Sequence, residues 1–392
     1  MKVQPRALAF TKESAFQVLA RAREIEATGR SVVHLEIGQP DFPTPSHICD
    51  AAVAAIRDGQ TGYGPSPGLP VLREAIARDA GRRRGLSFRK EQVIVTPGGK
   101  PVLYYAIHAL AGAGDEVIYP DPGFPMYASI ARASGATLVP LPLRHERELR
   151  FDVDDFRARV SPRTRLVILN SPGNPTGSVL AARDLEAVAE EARKRDFVVL
   201  SDEIYSRLVY APPGHVGDFL SIASLPGMAE RTIVLDGFSK TYAMTGWRLG
   251  YGIVPDPLIE VFDSYNVNIV SCAATFTQLA AVAAIEGPQE PVDAMVREFR
   301  RRRDLLVAGL NRLPGVECHL PGGAFYAFPN VRGTGLSSDV LARKLLDDAG
   351  VATLSGTAFG PEGDGHLRLS YASSIENLEE ALARMERLLK AQ

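Results

Sequence analysis

The sequence predicts an α/β fold: a large domain with a mostly parallel sheet of the seven-stranded type between helices, and a smaller α+β domain. Two observations predict it. Short, β-branched apolar runs recur at residues 93–95, 116–119, 166–169, 197–200 and 232–235, each ending in turn or polar residues. Helical stretches at 101–111, 125–134 and 181–194 separate them. Strands that are apolar throughout and alternate with helices belong to a parallel sheet covered on both faces.

In chain order, residues 13–28 read as an amphipathic helix with Phe16, Leu19, Ala20 and Ile25 near one face and Gly29 as its stop. An extended stretch at 32–37 leads into the bend Gly38-Gln39-Pro40-Asp41-Phe42-Pro43-Thr44-Pro45. A helix at 69–83 carries Pro70 in its first turn, where a missing N–H costs nothing. The strand–helix alternation follows, and near Pro288 the pattern changes. A long helix at 292–313 presents Val292, Met295, Val296, Phe299, Leu306 and Leu310, with Arg300 to Arg303 as a solvated face. The apolar stretch Gly322 to Phe328, a helix at 341–350, a strand at 367–371 and a helix at 375–389 complete the smaller domain. No linker isolates the N-terminal segment. The expected boundaries are therefore 46–285 for the large domain and 1–45 with 286–392 for the small one.

Composition excludes several classes. A chain of 392 residues, 45% apolar and 23% charged, is globular and multi-domain rather than disordered or fibrous. A net charge of −2 leaves no basic footprint for nucleic acid or an acidic membrane. Cys49, Cys272 and Cys318 are odd in number, far apart and form no C-x-x-C, which fits a reducing compartment. No apolar run approaches the roughly 20 residues that span a bilayer, and residues 1–10 lack the apolar core of a secretory leader. The seven histidines form no H-x-x-x-H pair, so no metal site is expected. The chain reads as soluble and cytoplasmic.

Ligands of open parallel sheets bind beyond the carboxyl ends of the strands, so the residues after each run carry the functional argument. They are Thr96-Pro97-Gly98-Gly99-Lys100, then Asn170 to Gly177, then Ser201-Asp202-Glu203-Ile204-Tyr205, then Asp236-Gly237-Phe238-Ser239-Lys240 with Thr245-Gly246-Trp247-Arg248 behind it. Two formal motif matches fail on chemistry. Gly99-Lys100 is no P-loop, since Ile94 and Pro101 replace its first Gly and its Ser/Thr. Gly64-Pro65-Ser66-Pro67-Gly68 is no nucleophile elbow, because Pro67 has no N–H for an oxyanion hole. No G-x-G-x-x-G follows a strand, which leaves a nicotinamide dehydrogenase without support.

Lys240 is the centre of what remains. It is one of only eight lysines among 44 basic residues, and it stands in an apolar, Gly-rich stretch. An amine lodged there can form a Schiff base with an aldehyde cofactor, the more readily if burial lowers its pKa. Asp202 supplies the carboxylate that keeps a pyridine ring nitrogen protonated. Tyr205 and Asn174 offer hydrogen bonds to a ring hydroxyl, and the helix opening at Gly98-Gly99-Lys100 suits a phosphate, with Arg248 adding a charged fork. Singly, each has an ordinary structural explanation: a surface lysine, a capping Asp, a half-buried Tyr, a turn Asn. Their order along consecutive strand ends does not.

Ser239-Lys240-Thr241-Tyr242-Ala243-Met244-Thr245-Gly246-Trp247-Arg248-Leu249-Gly250-Tyr251 resembles the pyridoxal-phosphate attachment signature of class I/II aminotransferases, the aspartate aminotransferase family of fold type I. Asn174-Pro175-Thr176-Gly177, Asp202-x-x-Tyr205, Gly62-Tyr63-Gly64 and Leu367-Arg368-Leu369-Ser370-Tyr371 match in order, so the resemblance runs from Gly38 to Tyr371. It implies pyridoxal 5′-phosphate held through Lys240, which also shuttles the substrate proton. It further implies Asp202 on the ring nitrogen and Tyr205 with Asn174 at the ring hydroxyl. Phe124 would stack on the ring, and Ser239, Arg248 and the amides of Gly99 and Lys100 would hold the phosphate. Tyr63 is expected to reach that phosphate from the neighbouring subunit of a homodimer. Arg368 is expected to grip the substrate α-carboxylate, with the backbone at Gly38 closing over it.

One departure stands out: many family members have Ser three residues before the lysine as a phosphate ligand, and this chain has Gly237. The phosphate cup is expected to lose one donor. No second arginine is placed to read an acidic side chain, and Asn266, Asn268 and Cys272 are expected near the pocket. The implied activity is ping-pong transfer of the amino group of an L-amino acid to a 2-oxo acid, with 2-oxoglutarate the expected acceptor. Rivals on the same scaffold are a β-lyase and a cyclopropane-forming synthase. A non-catalytic cofactor-sensing regulator is the remote alternative, because the segment before Val32 is too short for a helix-turn-helix module.

Overall fold

A computed structural model describes residues 14–211 and 218–391, together with Val3, Leu8 and Phe10. The reading of residues 1–10 thus falls largely outside the described residues, as does Glu13 at the start of the first expected helix. The chain begins with α1 (Ser14–Glu26), β1 (Val33–His34), α2 (Ser46–Arg57) and α3 (Pro70–Arg84). The alternating region holds β2 (Val93–Thr96), α4 (Lys100–Leu110), β3 (Glu116–Asp121), α5 (Met126–Ser134), β4 (Thr137–Arg144), β5 (Arg150–Phe151), α6 (Val153–Arg159), β6 (Thr164–Asn170), α7 (Ala182–Arg195), β7 (Val198–Asp202), β8 (Thr232–Gly237) and β9 (Gly250–Ile253). Then come α8 (Ile259–Ile269), α9 (Thr275–Glu286), α10 (Glu290–Leu310), β10 (Tyr326–Ala327), α11 (Ser338–Asp347), β11 (Val351–Ala352), β12 (Leu354–Ser355), β13 (Leu367–Ser370) and α12 (Ile375–Lys390).

The large sheet has the order β2-β9-β8-β7-β6-β3-β4-β5. It is α/β as expected, with seven strands and the two-residue β5 added at one edge. Strands β8, β7, β6, β3 and β4 run parallel, and β9 lies antiparallel to both β8 and β2. The reversal of β9 has a functional effect. The chain enters β9 at the same end of the sheet where β2, β6, β7 and β8 exit, so Arg248 joins Gly98, Asn170, Asp202 and Gly237 at one rim.

Burial explains why the apolar runs become strands. Val93 to Val95, Leu166 to Ile168, Val199 and Leu200 are wholly enclosed by helices on both faces. One apolar cluster packs β2 and β9 against α2, α3 and α9, and two others cover opposite faces of the sheet, through alternate residues of β3, β6 and β7. The C-terminal core gathers Phe299 and Leu306 from α10, Leu341 and Leu345 from α11, and Leu378, Ala381 and Met385 from α12 around Phe325 and Tyr371. Each such Leu or Phe contributes roughly 1.5–3 kcal/mol by leaving water. Val33 and Leu35 join this core through the parallel pairing of β1 with β11, while Ala22 and Ile25 of α1 pack on Leu346 and Ala352. Among the described residues no helix is long and apolar enough to cross a membrane.

Candidate active site

A cavity of about 670 Å³ opens at the shared rim of the strands. Its wall includes Gly38, Gly99, Lys100, Phe124, Asn174, Asp202, Tyr205, Ser239, Lys240, Arg248 and Arg368, which come from strand ends and loops far apart in sequence. Among the residues expected to hold cofactor or substrate, Tyr63 is the exception: it is 94% exposed and does not line the cavity.

Alternation along β7 sets the floor. Asp202 faces the cavity, whereas the next residue, Glu203, turns into a buried network, taking bonds from Arg84 Nε at 2.7 Å, Ser201 Oγ at 2.8 Å and Ser221 Oγ at 2.6 Å. Asp202 Oδ2 accepts from the Tyr127 hydroxyl at 2.7 Å, and Oδ1 from the N–H of Ile204 at 3.3 Å. Burial pushes its carboxyl up to about 6, against the pull of the Tyr127 hydrogen bond. A positive partner beside it would restore the ionised form. Phe124 stands edge-on to Tyr127, with ring centroids 5.7 Å apart, and the Lys100 ammonium lies 5.7 Å over the Phe124 ring.

At one end of the cavity the turn after β2 forms an anion cradle. Gly98 has φ +85°, a left-handed conformation suited to glycine, and a Cβ there would strike the Arg248 guanidinium. Gly99 is the N-cap of α4, so the first N–H groups of that helix are directed outward without intrahelical acceptors. Ser239 and Arg248 line the same end, and Arg248 Nη1 is steadied by the carbonyl of Thr245 at 2.9 Å.

The position expected to lack a phosphate donor, Gly237, has a packing role of its own. Gly237 does not line the cavity; it is the ladder partner of Gly250. A Cβ at Gly237 would meet Gly250 Cα at 2.9 Å and Ile204 Cδ1 at 3.2 Å. A Cβ at Gly250 would in turn meet the Gly98 carbonyl carbon at 2.7 Å. Glycine at 237 is thus a packing requirement of β8 against β9.

Lys240 Nζ donates to the Gly38 carbonyl at 2.5 Å. Arg368 Nη1 donates to Asn174 Oδ1 at 3.1 Å and Nη2 to the Glu36 carbonyl. The guanidinium of Arg368 lies between the rings of Tyr326 and Phe359, at 4.6 and 5.0 Å from their centroids. The three-residue stretch Glu36 to Gly38 therefore receives both the amine and the guanidinium. The Tyr205 and Tyr326 hydroxyls are 2.8 Å apart, and burial, reinforced by Tyr326, holds the Tyr205 phenol well above its ordinary value.

Tyr127, Tyr326 and Phe359 escaped sequence reasoning as site residues. Tyr127 stood in the quoted Phe124 motif, but nothing local ties it to Asp202, 75 residues away. Asn266, Asn268 and Cys272 do not line the cavity. Asn266 is buried and ties the Ser66 carbonyl to that of Val95, while Asn268 turns outward to the Ser264 carbonyl.

An amine, a buried carboxylate, an aromatic ring and a helix-terminus anion cradle around one cavity fit pyridoxal phosphate: aldehyde, ring nitrogen, ring face and phosphate each have a complementary group. The comparisons agree. The family model for aminotransferase class I and II matches residues 30–385. The chain is 41% identical to an aspartate aminotransferase of Pyrococcus abyssi, over 94% of each chain. It is also 41% identical to an aromatic-amino-acid aminotransferase of Thermococcus litoralis, over 92% of each. An aspartate aminotransferase of Thermus thermophilus, solved with maleate, superposes with a TM-score of 0.92 at 37% identity, covering 99% of this chain and all of that one.

Proposed function

We propose that in this chain, which belongs to the aminotransferase class I and II family and is a pyridoxal-phosphate-dependent transaminase, Lys240 both carries the cofactor and moves the substrate α-proton. When bound, the cofactor supplies an electron sink for the pair released at the substrate Cα. Asp202 keeps the proton on the ring nitrogen. Tyr205 and Asn174 hold the ring hydroxyl, and Phe124 covers the ring. Ser239, Arg248 and the N–H groups of Gly99 and Lys100 hold the phosphate. Arg368 takes the substrate α-carboxylate as a bidentate fork. Because Arg368 and Lys240 both bond to the stretch Glu36 to Gly38, the carboxylate grip and the base keep a fixed relation. That relation would orient the substrate Cα–H bond towards Lys240, and orientation decides which bond breaks.

The amino donor leaves as its 2-oxo acid, and 2-oxoglutarate takes the amino group back. Ile37, Phe16, Leu354 and Phe359 on the cavity wall suit an aromatic or aliphatic side chain. Tyr63, a large aromatic with 94% exposure on a loop pinned by the Thr275 hydroxyl to the Gly62 carbonyl at 2.7 Å, reaches the phosphate of a second copy in a homodimer of the cytoplasm.

The observation that carries this reading is the convergence of Lys240, Asp202 and Arg368 on one cavity beside the Gly98–Lys100 cradle. The visible absorption of the cofactor-loaded protein, titrated with single L-amino acids, tests it. Bleaching that 2-oxoglutarate reverses supports transamination and ranks the substrates. Pyruvate release from cysteine derivatives without bleaching would assign the chain to the lyases instead.

A further inference from the structure

Three side chains that play no part in this cavity converge at the outer side of the sheet. His145 opens the 3-10 turn that follows β4, and Glu317 and His319 lie on the segment after α10. Their ligand-type atoms all lie within 4.8 Å of one another. Local geometry explains the approach. Glu317, Cys318 and His319 alternate as extended chain does, so Cys318 is buried in the C-terminal core while its two neighbours share the other side. The rings of His145 and His319 are 4.2 Å apart, and that of His366 is 5.6 Å from His145.

The donor atoms have the properties of ligands. The His145 side chain is nine-tenths buried, and neither ring nitrogen has a hydrogen-bond partner among the described residues. His145 Nε2 stands 3.4 Å from Glu317 Oε2. That is the spacing, roughly 3.3–3.5 Å, between two ligand atoms on a tetrahedral zinc ion. His319 Nε2 lies 2.8 Å from the His145 carbonyl, so it is the protonated nitrogen and leaves Nδ1 with its lone pair. A ligand histidine fixed through its second nitrogen by a backbone carbonyl is the usual outer-shell arrangement of a metal site. His366, itself buried and with Nε2 unpartnered, closes one side.

We propose that His145, Glu317 and His319 bind a divalent first-row cation, zinc foremost, with water completing the tetrahedron. Two imidazoles and one carboxylate suit zinc, nickel or copper and not magnesium or calcium. The ion would fasten the end of β4, at the sheet edge, to the segment that leads from α10 into the C-terminal core. Its role is therefore structural. The route to the cavity is indirect: His366 stacks on Phe328 at 5.0 Å, and Phe328 meets Phe359 edge-on at 6.3 Å.

The experiment titrates metal-free, cofactor-loaded protein with zinc chloride by calorimetry, alongside Glu317→Gln, His319→Asn and the double variant His145→Asn/His319→Asn. The expected result is one zinc ion per chain, with affinity reduced about tenfold or more in each single variant. Binding is lost in the double variant, and zinc raises the unfolding midpoint of the parent protein but not of the double variant. Glu317 is 70% exposed, so its variant folds as the parent does, and midpoints measured in chelator check the other two. Equal zinc binding by parent and double variant, or no saturable uptake by the parent, overturns the proposal.

Discussion

The Tyr127 hydroxyl donates to Asp202 Oδ2 across 2.7 Å, and both side chains are buried beneath the cavity. This bond opposes the burial that pushes the Asp202 carboxyl up to about 6. Tyr127→Phe removes it, so the carboxyl rises further and the ionised fraction falls at any given pH. A hydrogen bond to a charged group is worth about 1.5–3 kcal/mol. We expect kcat/KM to fall about tenfold or more, with the acid limb of its pH profile displaced to higher pH. A profile unchanged in shape would show that Tyr127 does not tune Asp202.

Asp202 itself sets function against stability. Its carboxyl is raised from 3.8 to about 6 in the fold, so the cofactor-free protein loses stability as pH rises through that interval, and no further above it. Asp202→Asn removes this cost. At pH 8 the cofactor-free variant should melt higher than the parent, while its transaminase activity falls about 100-fold or more for want of the buried charge partner. Thermal melts and steady-state rates on the same preparations measure both effects.

Arg368 lies over the rings of Tyr326 and Phe359 and is bonded to Asn174 and Glu36. Lysine keeps the charge but loses both the planar stacking and the two-pronged grip. Arg368→Lys should raise KM for the amino acid about 30-fold or more, on the scale of truncating a buried charge pair. The affinity for cofactor, measured by fluorescence quenching, should stay near that of the parent.

Gly237 offers a test in the opposite direction. Gly237→Ser would bring Cβ to 2.9 Å from Gly250 Cα. Overpacking of this kind costs about 1–3 kcal/mol, so the unfolding midpoint should drop. Cofactor affinity should not improve. A tighter cofactor would mean that the serine does serve as a phosphate donor.

How far the sequence disclosed this molecule depends on where each signal lies. The strands 93–95, 166–169 and 232–235 were legible because both of their faces are buried, which makes every position apolar. Strand β9 was not, since Gly250-Tyr251-Gly252-Ile253 gives up side chains where the Gly98–Gly99 backbone and the Val102 side chain approach. Strand β4 carries Pro140 and Pro142 and pairs beyond β3 only with the two-residue β5, so it lacks the continuous apolar run. Helix α9 was missed because Thr275 to Glu286 is apolar nearly all round and shows little periodicity. At the site, residues on strand-end motifs were readable. Tyr326 and Phe359 were not, because what matters is their contact with Arg368, set by tertiary packing rather than by any neighbour in sequence. The His145, Glu317 and His319 group is hidden for the same reason, its members being brought together across more than half of the large sheet region.

Strand β9 runs back against β8, and the two are joined at the ladder pair Gly237 and Gly250. Lys240 and Arg248 consequently sit on a single closed loop, both ends of which are clamped to the same rung. Such a loop works as a gauge: the span between the amine and the guanidinium is set by the loop and is isolated from tilts of the surrounding helices. Side chains elsewhere in the cavity can vary to suit different amino acids without disturbing that span. Insertions or deletions between 237 and 250 would alter it at once.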